Sequence, residues 1–189
     1  EIARAAESRK GVALAVGGEI IGAVEVREVF ARDVEKEAEA VYRTNEDAHP
    51  GVANIRKGPQ RLLAGPVSLF SPLAHDDFGP YRLAPAATRA AFAERKWKTV
   101  VAFQTRNPIH RAHEYLTKVA LEGTDGLLLH PLVGKTKGDD IPAPVRMKCY
   151  EVLLEKYYPK DRTLLAVMPA KMHYAGPREA ILHAIIMQN

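Results

Sequence analysis

The stretch Thr99-Val-Val-Ala-Phe-Gln-Thr-Arg-Asn-Pro-Ile-His-Arg-Ala-His113 decides the fold. It opens with a short apolar run, which is typical of a strand buried on both faces of a sheet. Polar residues follow, and then Pro108, which suits the first position of a helix because its missing N–H would be unpaired there anyway. We therefore expect a strand, a polar loop with Asn107 as the N-cap, and a helix over about residues 109–122.

The same alternation of strand and helix continues along the second half of the chain. Apolar strands are predicted at Thr99 to Phe103, Gly126 to His130 and Thr163 to Met168. Helices are predicted at about 86–96, 109–122, 143–158 and 177–188. Apolar strands joined by helical crossovers indicate right-handed βαβ units and a parallel sheet. Because no strand follows the last predicted helix, we expect this sheet to be incomplete in the chain.

The first half of the chain has a different predicted secondary structure, with short strands and many turns. Gly17-Gly18 separates Val12 to Val16 from Ile20 to Val26, which predicts a hairpin. A helix is expected at Asp33 to Tyr42, a turn-rich segment at 45–51, and a strand at about Arg61 to Phe70, interrupted by Gly65-Pro66. Residues 71–85 are interpreted as a linker. The predicted domains are therefore a β-rich unit with its linker, 1–85, and an α/β unit, 86–189.

Composition excludes several classes of protein. With 47% hydrophobic and 26% charged residues, the 189-residue chain can build a core, so it is not disordered or fibrous. No apolar run approaches the roughly 18 residues of a membrane span, so we expect no membrane partner. The start of the chain has neither an initiator Met nor a signal-peptide pattern, which indicates a processed chain or a fragment.

The cysteine content favours a reducing, cytoplasmic setting. Cys149 is the only cysteine, so no intramolecular disulfide can form, and it lacks the Cys/His spacing of a zinc site. Its place within a predicted helix indicates a small buried hydrophobic residue.

The charge favours a small anionic ligand over nucleic acid. The net charge is +4, and residues 100–189 hold 12 Lys and Arg against 9 Asp and Glu, together with five of the seven His. An excess of this size is too weak for a nucleic-acid surface. We therefore look for an anion site in the second half of the chain.

The loop after the first parallel strand is the best candidate for that site. Ligands of open parallel sheets bind beyond the carboxyl ends of the strands. There, Gln104, Thr105 and Arg106 would lie beside the N–H groups and the positive dipole end of the following helix. The sequence therefore predicts an anion site in this loop.

His110 and His113 extend the candidate site. Residues three apart on a helix project from one face, so both imidazoles would face the same anion and could donate hydrogen bonds to phosphate oxygens. The alternatives are a structural His pair or half of a metal site. No third ligand stands at a useful spacing, so no protein-bound metal is predicted.

Two other loops carry weaker signals. Gly134-Lys-Thr136 resembles part of a phosphate-binding P-loop, but the glycine required five positions earlier is Leu129, inside a predicted strand. Lys135 and Lys137 are interpreted as a solvated basic loop. Asp139 and Asp140 could assist a magnesium ion, but turn residues are the favoured interpretation.

The last loop ends in Gly176-Pro177 before a helix, which lets backbone approach a ligand closely. His183, within that helix, is interpreted as a packing histidine. Glu46, Asp47 and His49 have a hydrolase-like composition but are predicted to form an ordinary turn.

Three segments carry a resemblance to a known family. Gln104-Thr-Arg-Asn-Pro-Ile-His-Arg-Ala-His113 resembles the signature of ATP sulfurylase (sulfate adenylyltransferase), and His110-x-x-His113 is that family's form of a nucleotidylyltransferase histidine motif. Tyr174-Ala-Gly-Pro-Arg-Glu-Ala180 and His49-Pro-Gly-Val52 are similar to further family segments. The resemblance implies an α/β fold: a β-rich PUA-like N-terminal domain followed by a Rossmann-like nucleotidylyltransferase domain with a parallel sheet, incomplete here.

The resemblance also implies a reaction and the residues that serve it. ATP, brought with Mg²⁺, and sulfate would give adenylyl sulfate and pyrophosphate. Gln104 and Arg106 would contact sulfate, while Thr105, Arg106 and Asn107 would form the catalytic loop. His110 and His113 would act in catalysis by holding the ATP phosphates in the transition state. The implied ATP-binding set is Gln104, Thr105, Arg106, Asn107, His110 and His113.

The resemblance leaves several points open. The family continues into a Gly-Arg-Asp-His segment that this chain lacks, so the 189 residues alone are expected to be weakly active or inactive. A homo-oligomer is expected. One rival is another nucleotidylyltransferase with a phosphate-bearing acceptor, and a second is a non-enzymatic RNA-binding PUA-like module. The direction of the reaction, toward adenylyl sulfate or back toward ATP, is not determined by the sequence.

Overall fold

A computed structural model describes residues 11–70, 75, 77–136 and 140–189 of the chain. Contacts divide the chain into two compact units. The first comprises Glu1–His75 with His173–His183, and the second comprises Asp76–Met172 with Ala184–Asn189.

The first unit begins with the predicted hairpin. Strands β1 (Gly11–Val16) and β2 (Glu19–Glu25) pair antiparallel. They are joined by Gly17 and Gly18, whose φ angles of 59° and 87° are readily adopted only by glycine. The hairpin is therefore confirmed, and β5 (Val67–Leu69) adds a third antiparallel strand beside β2.

The strand predicted over Arg61 to Phe70 is wrong as a single element. Strand β4 (Arg61–Ala64) pairs with β3 (Glu28–Ala31), whereas β5 belongs to the sheet of β1 and β2. The chain changes sheets at Gly65-Pro66 because Gly65 lies directly against the backbone of Glu25, where a side chain would collide with the Glu25 carbonyl oxygen.

Two helices complete the small core of the first unit. Helix α1 (Val34–Tyr42) begins where Asp33 Oδ1 accepts from the Lys36 N–H at 3.0 Å. Helix α2 (Pro50–Arg56) begins at the end of the segment predicted to be turn-rich, and the sequence did not predict this helix. The two helices bury a cluster made of Ala38, Val52 and Ile55.

The second unit holds the predicted parallel sheet. Strands β6 (Val100–Thr105), β7 (Gly126–Pro131) and β8 (Thr163–Leu165) pair in parallel in that order. Helices α4 (Arg111–Glu122) and α5 (Ala143–Tyr157) form the crossovers, as predicted. Strand β8 is shorter than expected, and Met168 joins the sheet only through one bridge to Leu132.

The two remaining α-helices agree closely with the sequence pattern, whereas two short 3₁₀ helices were not predicted. Helix α3 (Pro85–Glu94) precedes the parallel sheet and helix α6 (Pro177–Gln188) follows it in the chain. Two short 3₁₀ helices occupy Gly79–Tyr81 and Lys160–Arg162. No helix in the described residues is long and apolar enough to cross a membrane.

One core cluster of the second unit lies between the sheet and α5. Leu129, Met147, Tyr150 and Val167 form a fully buried cluster. Tyr81, from the segment interpreted as a linker, packs against it. Burial of this kind contributes roughly 1.5–3 kcal/mol for each large apolar side chain.

Cys149 is not in that core, and its predicted burial is wrong. It lies at the surface. At about 100° per residue, the buried residues Arg146, Met147 and Tyr150 of α5 lie within one arc of about 100°. Cys149 lies outside that arc, about 60° beyond Arg146, so it reaches the surface.

Candidate functional site

The candidate site lies at the carboxyl ends of β6 and β7. Gln104 and Thr105 are the last two residues of β6 and pair in register with His130 and Pro131 of β7. This is the edge at which open parallel sheets bind ligands. The predicted location of the polar loop is therefore confirmed, while the ligand contacts of its residues stay a prediction.

A tight turn follows β6. The Thr105 hydroxyl accepts from the Asn107 N–H at 3.0 Å and donates to the Asn107 carbonyl oxygen at 3.1 Å. Thr105 is buried, so this hydroxyl serves the shape of the loop. Arg106 stands at the apex of the turn.

The start of the next helix differs from the prediction. Helix α4 begins at Arg111, and His110 is its N-cap, since its Nδ1 accepts from the Ala112 N–H at 3.3 Å. The expectations that Asn107 caps the helix and that Pro108 is its first residue are therefore wrong. The backbone of Asn107 is held instead by the Thr105 hydroxyl and by Tyr150, which keeps it outside the helix.

The two histidines come together as predicted. The ring centroids of His110 and His113 lie 3.9 Å apart with 32° between the ring planes. His113 also lies 5.5 Å from the ring of Phe103 on β6, and its Nδ1 is buried without a hydrogen-bond partner among the described residues. Because His110 Nδ1 is an acceptor, the neutral ring carries its proton on Nε2, which can donate to a ligand.

Arg106 has a carboxylate partner that the sequence did not predict. Its Nη1 donates to both carboxylate oxygens of Asp140, each at 2.7 Å. The Asp140 side chain is 12% exposed and that of Arg106 is 33% exposed. Asp140 lies at a bend of the chain, so its interpretation as a turn residue is incomplete: its carboxylate also pairs with the guanidinium at the candidate site.

Helix α5 contributes two polar side chains to the same edge. The Tyr150 hydroxyl donates to the Asn107 carbonyl oxygen at 2.7 Å. One turn earlier, Arg146 is 1% exposed and donates to the carbonyl oxygens of Leu132 at 2.7 Å and Ile141 at 2.8 Å. Sequence reasoning missed both; the available signal was a pair of polar side chains, spaced by four, on the same face of the helix as Met147 and Leu154.

The described part of the loop after β7, residues 132–136, lacks the glycine that a P-loop requires at position 129. Leu129 lies within β7, as the failed P-loop test predicted. A side chain at Gly134 would collide with the Ala170 backbone, so the glycine serves a close packing of two loops. Lys135 is exposed, whereas Lys137 and Asp139 lie outside the described residues.

The Gly176-Pro177 loop is held inside the first unit. Tyr174 and Gly176 both have positive φ, 61° and 56°. Glu179, which is 5% exposed, accepts from the N–H groups of His173 at 2.6 Å and Ala175 at 3.2 Å. His183 is buried beside Glu179 at 3.6 Å, so its interpretation as a packing histidine is confirmed.

The cluster of Glu46, Asp47 and His49 is structural, as predicted. His49 Nδ1 accepts from the Gly51 N–H at 3.1 Å, so its Nε2 carries the proton and donates to the Tyr174 carbonyl oxygen at 3.1 Å. Asp47 pairs with Arg56 at 2.6 Å. The Nδ1 atom of His49 therefore caps α2, and its Nε2 atom joins this turn to the loop of Tyr174.

Within the part of the chain that the structure describes, no group of three or more His, Cys, Asp or Glu side chains is arranged to hold an ion.

Family models match both halves of the chain. The ATP-sulfurylase model matches residues 79–189, and the PUA-like domain model matches residues 1–72. The two predicted domain types are therefore confirmed, a PUA-like domain followed by a Rossmann-like domain with a parallel sheet.

Several curated relatives are similar over nearly the whole chain. A sulfate adenylyltransferase of Synechococcus sp. (strain JA-3-3Ab) is 55% identical over 188 residues, covering 98% of this chain and 48% of the relative. Those of Halothermothrix orenii and Chloroflexus aurantiacus are 57% and 58% identical, covering 90% and 98% of this chain and 45% and 48% of the relatives. The chain spans about half the length of the curated relatives it matches.

A solved structure is also similar. A hexameric APS kinase from Thiobacillus denitrificans superposes with a TM-score of 0.67 at 28% identity, covering 95% of this chain and 32% of that one. Since the ATP-sulfurylase model extends over more than half of the residues, the chain belongs to the ATP-sulfurylase family.

Proposed function

We propose that this chain carries the substrate-binding loop of a sulfate adenylyltransferase, which converts ATP and sulfate to adenylyl sulfate and pyrophosphate. The observation that carries the proposal is that Arg106 directly follows the carboxyl end of β6 and that the rings of His110 and His113 lie 3.9 Å apart at the start of the next helix. The curated relatives, named sulfate adenylyltransferases, support the same activity.

The reaction needs no general base. A sulfate oxygen, already ionised, attacks the α-phosphorus of ATP, a new P–O bond forms, and the bond from the α-phosphorus to the bridging oxygen breaks. Pyrophosphate leaves with that electron pair, and no proton has to move. The residues therefore act by positioning the two anions and by stabilising the charge that develops.

Gln104 and Arg106 are proposed to contact sulfate. The guanidinium of Arg106 is planar and presents several N–H donors, which matches a tetrahedral dianion better than an ammonium group does. Gln104, the residue before the last one of β6, lies at the same edge of the sheet and adds an amide donor. Thr105 and Asn107 shape the turn that carries Arg106, and they are also proposed to line the nucleotide-phosphate site.

His110 and His113 are proposed to act on the ATP phosphates. The Nε2–H of His110 is available to donate to a phosphate oxygen, because its Nδ1 is occupied by the Ala112 N–H. Charge on the phosphates grows in the transition state, so donors fixed in place by the start of α4 favour that state over bound ATP.

Three further expectations belong to this proposal. ATP binds as its magnesium complex, so the metal arrives with the substrate. The protein forms a homo-oligomer, in keeping with the hexameric APS kinase that it resembles in structure. It works in the cytoplasm, where a single unpaired cysteine is typical.

The test is sulfate-dependent release of pyrophosphate from magnesium-bound ATP by the complete gene product. Replacing Arg106 by Lys keeps the charge but removes the planar donor set, and we expect kcat/KM for sulfate to fall by roughly 100-fold. Replacing the exposed Arg95 by Lys is the matched control and should leave the rate unchanged.

Two outcomes would overturn the proposal. Pyrophosphate release that ignores sulfate but requires a phosphorylated acceptor would favour a different nucleotidylyltransferase. A steeply salt-dependent affinity for RNA without any turnover would favour an RNA-binding module.

A further inference from the structure

We propose that Tyr150 is a positioning residue, whose hydroxyl holds the end of β6 and the turn after it, Gln104 to Asn107 (the Arg106 loop), in the geometry that binds substrate. The inference rests on the proposed function, because it assigns a role in the same site. It starts from the 2.7 Å hydrogen bond that the Tyr150 hydroxyl donates to the Asn107 carbonyl oxygen, across 43 residues of sequence.

Tyr150 is suited to this role because it is fixed by its surroundings. Its side chain is fully buried and packs in the cluster of Leu129, Met147 and Val167. A phenol ring has only two rotatable bonds, and close packing leaves it one orientation. The hydroxyl is therefore a rigid point to which the loop is attached.

Burial also keeps the hydroxyl a donor. It raises the pKa of Tyr150 above the usual value of a tyrosine, against a smaller opposing effect of Arg146. The group therefore stays protonated at every pH at which the enzyme would work. Its hydrogen bond to Asn107 is then present throughout that range.

The same face of α5 anchors the other side of the site. Arg146, one turn before Tyr150, holds the carbonyl oxygens of Leu132 and Ile141, which flank the loop that carries Asp140. Asp140 in turn contacts Arg106. Thus the buried face of α5 holds the backbone of the Arg106 loop directly, through Tyr150. It holds Asp140 indirectly, because Arg146 binds the carbonyl oxygen of the next residue, Ile141.

Loss of the Tyr150 hydroxyl should loosen the loop without unfolding the protein. The Asn107 carbonyl would keep its hydrogen bond from Thr105, so it would not be left buried and unpaired. Arg106 and Asn107 would sample more positions. A loop that is looser by a fraction of an ångström lowers the rate of the chemical step more than it weakens ground-state binding.

The experiment compares Tyr150→Phe with Tyr158→Phe in the complete gene product. Tyr158 is the matched control: it is also buried, it directly follows α5, and its hydroxyl makes a 2.6 Å hydrogen bond to Thr117, a residue outside the loop. The measurements are kcat, KM for ATP and for sulfate, thermal stability, and amide hydrogen exchange in residues 104–110.

For Tyr150→Phe we expect kcat to fall about tenfold, because the hydroxyl acts through the geometry of the loop. The KM values for ATP and for sulfate should both stay within about twofold of the wild-type values. Exchange in residues 104–110 should be faster. Tyr158→Phe should lose comparable stability with kcat and loop exchange unchanged.

Unchanged kcat and loop exchange in Tyr150→Phe, or an equal fall of kcat in the control, would overturn the inference. If wild-type protein showed no sulfate-dependent turnover, the proposed function would fail. The exchange measurement would still decide whether Tyr150 holds the loop.

Discussion

Nη1 of Arg106 lies 2.7 Å from each carboxylate oxygen of Asp140, so the guanidinium proposed to receive sulfate already faces an anion belonging to the protein. The carboxylate is the more buried of the two partners. An incoming dianion therefore meets an arginine whose charge is partly balanced. Sulfate affinity should be set by the difference between its attraction to Arg106 and its repulsion from Asp140.

Asp140→Asn is expected to strengthen sulfate binding. The change removes the negative charge but keeps the size of the side chain, so repulsion of the dianion disappears. We expect KM for sulfate to fall by roughly threefold to tenfold at low salt, and less at high salt because of screening. Initial rates at varied sulfate concentration and ionic strength measure this directly.

Asp161→Asn is the matched control, since it makes the same change on an exposed aspartate of a 3₁₀ helix. It should leave KM for sulfate unchanged. A higher KM in Asp140→Asn would mean that the carboxylate orients Arg106 for binding, and the repulsion argument would be wrong.

His110 has two separable tasks, capping α4 through Nδ1 and presenting Nε2–H to a ligand. Asparagine is a good N-cap but is too short to replace Nε2. We expect His110→Asn to keep the stability of the wild type, and His110→Ala to lose about 1 kcal/mol. Both variants should lose roughly 100-fold in kcat, since one transition-state donor is removed in each.

Urea unfolding and pyrophosphate release separate the two tasks. Near-normal kcat in His110→Asn would show that the ring only caps the helix. In that case the role of His110 toward the ATP phosphates would have to be withdrawn.

Much of the fold could be predicted because it depends on local patterns. The apolar run at Thr99 to Phe103 and the helical periodicity after it predicted the parallel unit with small errors at the ends. The Gly17-Gly18 pair predicted the hairpin, since its positive φ angles depend on residue type alone. These features need no knowledge of distant parts of the chain.

The errors arise where distant residues decide the structure. Pro108 obeys a local rule for helix starts, but the 2.7 Å hydrogen bond from Tyr150 holds Asn107 outside the helix. Asp140 is a turn residue by composition, yet its partner is Arg106, 34 residues earlier in the chain. Such pairings depend on tertiary packing, which local propensity does not contain.

Asp125 predicts an acid-sensitive contribution to stability. One of its carboxylate oxygens accepts from the N–H groups of Thr99 and Lys98, both at 2.8 Å, and from the Thr99 hydroxyl at 3.0 Å. These hydrogen bonds lower the pKa of Asp125 in the folded protein, and the largest effect comes from the Thr99 N–H. The ionised Asp125 therefore stabilises the folded protein at pH values above its pKa in the unfolded chain, about 3.9. This stabilisation is lost as pH falls through the lower pKa that Asp125 has in the folded protein.

Asp125→Asn should remove that pH dependence. We expect its free energy of unfolding to fall less steeply than that of the wild type below about pH 4, while the difference between the two proteins stays constant from about pH 5 to 7. Urea unfolding at a series of pH values measures both. Parallel curves down to the lowest pH would show that Asp125 titrates normally in the folded protein.

Glu179 predicts a large structural effect within the first unit. Its carboxylate accepts from the N–H groups of His173 at 2.6 Å and Ala175 at 3.2 Å, in the loop where Tyr174 has a positive φ. Glu179→Ala leaves both N–H groups without that partner, and we expect a loss of about 2 kcal/mol in the free energy of unfolding. Glu179→Gln keeps one carbonyl acceptor and should lose less. Urea unfolding measures these stabilities, which we expect to rise from Glu179→Ala through Glu179→Gln to the wild type, and Glu94→Ala, at an exposed position, is the control. Equal stability of the three proteins would show that the loop is held by other contacts, above all by the hydrogen bond from His49.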